Sequence, residues 1–360
     1  GVNKESSKTI GGKKMRMVTT IEELSDMIRH DDLGKWDEEV KVSRIRQNDF
    51  GELLMDGRRM NLTGHAEAQL YGRLGIPVHY AKRCPAELLA PHVNHWLEER
   101  SDQTWFLRMK GDKVRAILST SYSILDNRHI LNALLENIEG QGFEITMSSV
   151  GDDSGFHVRL VLPDVKVDTG AIRSGERDNI FGGIHISNSE IGKRSATVEL
   201  MLWRLVCTNG MVGLTSGDRF RQAHRGAGLL ESFEEKVGRV LRSAKNDLEY
   251  SLFKFEQTMG EVTEHGEEIV KAYSEKNHLD KATTEEAVAQ LHYQSRTSSM
   301  YVFSKYDIIN AFTAAARTKV GDERYKVEAV AGKILGDSLG GMERIAMRYM
   351  EGKNHERNSN

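Results

Sequence analysis

SATVELMLWRLVCTNGMVG, residues 195–213, decides the fold, because its apolar spacing fits either a strand or a helix. The segments before it favour the strand. FHVRLVLP, residues 156–163, alternates Phe156, Val158, Leu160 and Leu162 onto one face and His157 and Arg159 onto the other. FEITMSSV precedes it across GDDSG, which makes a hairpin, and IFGGIHIS, residues 180–187, supplies a further strand. With 195–207 read as a strand, Asn209-Gly210 between LWRLV and MVGL becomes a hairpin turn of the kind that needs positive φ at both central residues.

The pattern extends in both directions. Thr20 before IEELSDMIRH predicts a capped helix, and EVKVSRI alternates as a strand. Asp56-Gly57 and Gly111-Asp112 each sit between short apolar runs and predict two more hairpins. Helical patterning covers Thr63 to Leu74 and residues 84–100, with Pro85 in the first turn of the second helix and Pro91 expected to kink or divide it. DNRHILNALLENIEG reads as a helix capped by Asp126 and closed by Gly140. After about Gly226 the chain is helical to about Met350 without a convincing strand.

Hairpins with embedded helices followed by a run of helices predict an α+β fold: an antiparallel, hairpin-rich curved sheet with packed helices, then a helical C-terminal region. The expected division is a basic flexible arm over residues 1–18 and an α+β core over 19–226. A helical region over 227–350, packed on the core or mediating oligomerisation, and a frayed tail over 351–360 complete it.

The chain has 360 residues, of which 39% are hydrophobic and 29% charged, as in an ordinary soluble globular protein. No apolar run approaches the roughly 20 residues that span a bilayer, so no membrane partner is expected. Two cysteines cannot build a disulfide framework, and the expected location is the reducing cytoplasm. A net charge of -3 argues against a surface that binds nucleic acid everywhere, and leaves local basic patches as the only route to a polyanion.

Candidate chemistry is sparse. Cys207 as a nucleophile needs a nearby base, and His185 on the neighbouring predicted strand is the one candidate; a small buried thiol beside a turn explains the residue without function. His79, Cys84, His92 and His95 have metal-ligand chemistry but match no established zinc spacing, so neither a metal nor another cofactor is expected. GDDSG reads as a tight solvated turn, which leaves Asp152 and Asp153 no metal role. Phosphate-loop, HExxH and GxSxG motifs do not occur, and no catalytic residue is assigned.

LSTSYSILDN (118–127), HISNSEIGKRSA (185–196), RLVCTNGM (204–211) and NAFTAAAR (310–317), in this order, resemble the phage/plasmid-like protein family. That family is a domain of unknown function common in phage and plasmid genomes, and the similarity covers roughly residues 50–320. The resemblance implies a mobile-element origin and an α+β body, and carries over no catalytic residue. Mobile elements commonly encode annealing and recombination proteins, which use a curved hairpin sheet backed by helices. By that analogy the expected function is binding of single-stranded DNA by a homo-oligomer. The candidate contacts are Lys110, Lys113, Arg115 and Tyr122, then Lys193 and Arg194, then Arg219, Arg221, His224 and Arg225. The alternative is an interaction protein whose charged helices bind a host or phage protein, such as a defence enzyme.

Overall fold

A computed structural model describes residues 7–10, 13–16, 20–152, 155–173, 176–204, 209–212, 220–226, 228–294 and 301–358. The described residues form two six-stranded sheets, each with its own apolar core, and two small two-stranded pairs.

At the N-terminus β1 (Ser7–Ile10) and β2 (Lys13–Arg16) pair as an antiparallel hairpin, so the segment expected as a flexible arm is in part paired strand. Thr20 caps α1 (Ile21–Asp32) through the reciprocal bonds with Glu23 that the sequence signals. The first sheet contains β3 (Lys35–Lys41), β4 (Ile45–Gln47), β5 (Leu53–Met55) and β6 (Arg58–Leu62). After α2 (Gly64–Leu74), α3 (Val78–Ala81) and α4 (Ala86–Glu98) it is completed by β7 (Thr104–Lys110) and β8 (Lys113–Ser119).

Strand order is β3-β7-β8-β6-β5-β4, antiparallel throughout except where β6 meets β8. Asp56 (φ 48°) and Gly57 (φ 80°) both take the left-handed conformation that their hairpin requires. Pro91 does not divide α4, which runs unbroken from Ala86 to Glu98 and buries Leu89, Val93 and Leu97 in the core of this sheet.

The second sheet follows α5 (Asn127–Ile138) and is a meander of β9 (Glu144–Ser149), β10 (Phe156–Arg173), β11 (Glu176–Asn188), β12 (Ala196–Arg204) and β13 (Asn209–Val212), with β14 (Phe220–Gln222) also on β12. Residues 196–204 are therefore strand, and the helical alternative fails. The long helix α6 (Leu229–Gln257) packs Leu241, Ala244 and Leu248 into the same core as Val158, Leu160, Ile184, Ile186, Val198 and Leu200. Its approach is close, since a Cβ on Gly182 of β11 would lie 2.9 Å from the Leu248 Cβ; the next glycine, Gly183, is required by β10, where a Cβ would lie 2.2 Å from the Leu160 carbonyl oxygen.

The turn expected at Asn209-Gly210 is displaced. Asn209 pairs with Arg204 and Gly210 with Trp203, so both lie on β13, and the connection is residues 205–208, outside the described residues. What requires glycine at 210 is packing, because a Cβ there would stand 2.5 Å from Trp203 Cε3.

Among the described residues, the regular structure that remains is helical apart from the two-residue partners β15 (Val262–Thr263) and β16 (Phe303–Ser304). Helices α7 (Gly266–Lys276), α8 (Lys281–Gln294), α9 (Lys305–Ala315), α10 (Gly321–Gly336) and α11 (Leu339–Asn358) close the core of the second sheet through Ile269, Leu291, Phe312, Ile334 and Ala346. The tail expected to fray continues α11 as far as Asn358. Among the described residues no helix is long and apolar enough to cross a membrane.

Candidate functional site

Glu190, in the loop between β11 and β12, is 3% exposed and joins the two sheets. Its Oε2 accepts from Lys35 Nζ of β3 and from Arg115 Nη2 of β8, each at 2.7 Å, while Oε1 accepts the Asn127 amide at 2.9 Å. Its backbone carbonyl accepts from Arg108 Nη1 and the Tyr122 hydroxyl. Burial alone would raise the Glu190 carboxyl, but Lys35, the Asn127 amide and Arg115 outweigh it and hold the group at about 2. Arg115 is further held in a fork by Asp152, and Arg108 by Asp37 and Asp126.

The carboxylates of Asp31, Asp32 and Glu190 come close enough to share a cation. Lys35 Nζ occupies that position, at 2.6, 3.0 and 2.7 Å from them. An ammonium thus does a metal's electrostatic task. His79, Cys84, His92 and His95 bring no three ligand atoms together among the described residues.

The second polar cluster lies on the face of the sheet opposite α6. His157 and Arg159, read as the non-core side of β10, are 5% and 3% exposed because α10 covers them. His157 Nδ1 meets His185 Nε2 at 3.0 Å, and His157 Nε2 meets Asp322 Oδ1 of α10 at 3.0 Å. Arg194 Nη1, which can only donate, also lies 3.1 Å from His157 Nε2 and its guanidinium pairs with Asp322, while the buried His185 Nδ1 has no partner among the described residues. Glu328 of α10 receives both Arg159 and Arg324, whose guanidinium carbons stand 4.8 and 5.5 Å from the Trp203 ring centre.

Burial pushes the His157 imidazole down to about 4 and His185 well below its usual value. The unfolded chain therefore takes up protons between pH 6.5 and about 4 that the folded chain refuses, and stability falls as the pH drops through that window. Each such histidine contributes a limiting slope of about 1.4 kcal/mol per pH unit. Urea midpoints of the native chain measured from neutral pH to about 4.5 should decline. His157→Gln should have the shallower profile, and equal slopes for the two proteins would refute the assignment.

The expected nucleic-acid contacts divide into spent and free cations. Arg115 is buried and does not reach the surface; Lys110 bonds Asp31, and Arg194 pairs with Asp322 across the Tyr325 ring. Tyr122 stacks on His224 at 5.0 Å and lies 6.2 Å from Phe106, so its ring is engaged within the protein. Lys113, Arg221 and Arg225 are exposed and have no ion pair among the described residues; Lys193 is exposed and donates to the Asp152 carbonyl. Arg219 and Cys207, weighed as a nucleophile and as a buried structural thiol, lie outside the described residues, as does Asp153. His185, the base proposed for Cys207, is fully buried and bonded to His157.

Three separate segments nevertheless meet at one rim. Tyr122 bridges to Arg225, Ser123 N donates to the His224 carbonyl, and the Tyr122 hydroxyl donates to Ser189 and Glu190 at the start of the Lys193 loop. Arg225 adjoins the Tyr122–His224 stack through its bridge to Tyr122, Lys193 lies in the loop whose Ser189 and Glu190 carbonyls Tyr122 bonds, and Arg221 stands opposite Thr197 at the start of β12. Lys110 and Lys113 pair at the far end of β7 and β8. The sequence around Glu190 does not single it out, since its only local signal is an acid flanked by SNS and IGKR.

In comparisons with known proteins, a family model described as a domain of unknown function (DUF932) matches residues 115–323. No curated protein and no solved structure matches the chain.

Proposed function

The chain belongs to the family of the domain of unknown function DUF932, and from that premise we propose that it is a single-stranded nucleic-acid-binding protein of a phage or plasmid, with a role in annealing or recombination. The observation that carries this reading is the rim, where exposed Arg225 and the loop of exposed Lys193 adjoin the Glu190 hub and the Tyr122–His224 stack, with exposed Arg221 on β14. Phosphates would meet cations borne by paired strand and loop backbone, so the ordering cost on the protein side falls on the exposed side chains. Arg115 and Arg108 support the rim from beneath and leave the phosphate contacts to the exposed groups.

The meander of hairpins with one long helix behind it supports the reading by analogy with annealing scaffolds. Tyr250 and Phe253, both exposed on α6, offer an apolar patch through which copies of the chain would assemble. With a net charge of -3 the attraction is confined to the rim, so binding is modest and strongly salt-dependent.

The test is fluorescence anisotropy of a labelled single-stranded oligonucleotide at low salt. Lys193→Ala with Arg225→Ala should reduce the salt slope by about 1.4, at about 0.7 per phosphate contact. The same affinity and slope in the double variant would remove the rim from the reading.

A further inference from the structure

We propose that the N-terminal sheet holds a second binding site, a pocket for a small organic amine with an apolar or aromatic body. The site is an open-mouthed cavity of about 580 Å³ between the β4–β5 turn, the end of β6, and α2, α3 and α4. Its volume is that of an ordinary small-molecule site. It lies outside residues 115–323, far in sequence from the rim residues, and is independent of the nucleic-acid reading.

The chemistry of the wall selects the ligand. Glu52 and Glu67 both line the cavity and both are half-buried. Their partners are neutral: Glu52 accepts from the Asn48 amide at 2.7 Å and Glu67 from the Tyr71 hydroxyl at 3.2 Å. Neither has a cationic partner among the described residues, in contrast to the carboxylates around Glu190. A ligand ammonium bound at either carboxylate supplies the missing charge and hydrogen-bond donors.

The rest of the cavity suits an apolar body. Leu62 and Leu89 form part of the wall, and the Phe50 ring stands at the mouth 81% exposed, available to cover an aromatic or cationic ligand. Lys82, the one cation in the lining, has no ion pair among the described residues; with two carboxylates against it the pocket stays net negative. Anionic ligands are therefore disfavoured.

Cys84 lines the same cavity and reports its occupancy. The experiment uses the full chain and 2-phenylethylamine, with 2-phenylethanol as the uncharged control. The readout is the rate of iodoacetamide alkylation at Cys84, followed by mass spectrometry of the peptide that contains it. Millimolar phenylethylamine should slow alkylation and phenylethanol should not. Glu67→Gln and Glu52→Gln keep an acceptor for Tyr71 and Asn48 while removing the charge, and each should weaken protection about tenfold. Their alkylation rate without ligand should equal that of the native chain, which shows the pocket intact. No protection by the amine, equal protection by the alcohol, or native affinity in both glutamine variants would overturn the proposal.

Discussion

Glu190→Ala is expected to destabilise the protein by about 3–5 kcal/mol, the cost of breaking a buried pair by removing one partner. For a chain of 360 residues that is a fall of roughly 4–7 °C in the unfolding midpoint. The effect is large because the carboxylate serves two cations at once: Arg115 is 2% exposed, and Lys35 has a side chain 11% exposed. Each keeps other partners, Asp152 for Arg115 and Asp31 with Asp32 for Lys35, which limits the loss. Glu190→Gln should lie between, since an amide oxygen still accepts from Asn127 but carries no charge. Calorimetry of the three proteins at neutral pH checks this; a midpoint unchanged in Glu190→Ala would mean the hub contributes nothing.

Glu328→Ala should cost at least as much. Glu328 is fully buried and is the acceptor shared by Arg159 and Arg324, two guanidiniums that approach the same indole. Without it, two like charges remain in a desolvated layer between β10, β12 and α10, where each is poorly screened. Arg324→Met combined with Glu328→Gln removes one charge of each sign and should recover part of the loss, because one guanidinium fewer is buried and the glutamine oxygen still accepts from Arg159. A double variant no more stable than Glu328→Ala alone would contradict this account.

Local signals read well where the deciding forces are local. The Thr20 cap, the Asp56-Gly57 turn and the alternation of Val158, Leu160 and Leu162 depend on neighbours within a few residues, and each element stands where its pattern places it. The α+β class follows from them. Periodicity also separated His157 and Arg159 from the apolar face, but it says nothing of what covers a face, and the cover arrives from Asp322 and Glu328 more than 160 residues later. The Glu190 hub is illegible for the same reason: Lys35 and Arg115 stand 155 and 75 residues away. Arg115 looked like an exposed strand cation because sequence gives its charge but not its partner. Gly210 was attributed to a turn, whereas the Trp203 ring is what excludes a side chain there.

The central claim, a rim of cations that binds a single-stranded polyanion, is tested most directly by the salt dependence of oligonucleotide affinity for the native chain. With Lys193, Arg221 and Arg225 each meeting one phosphate, log K should fall with log salt at a slope of about -2. No binding of a single-stranded oligonucleotide at low salt, or binding indifferent to salt, would contradict it.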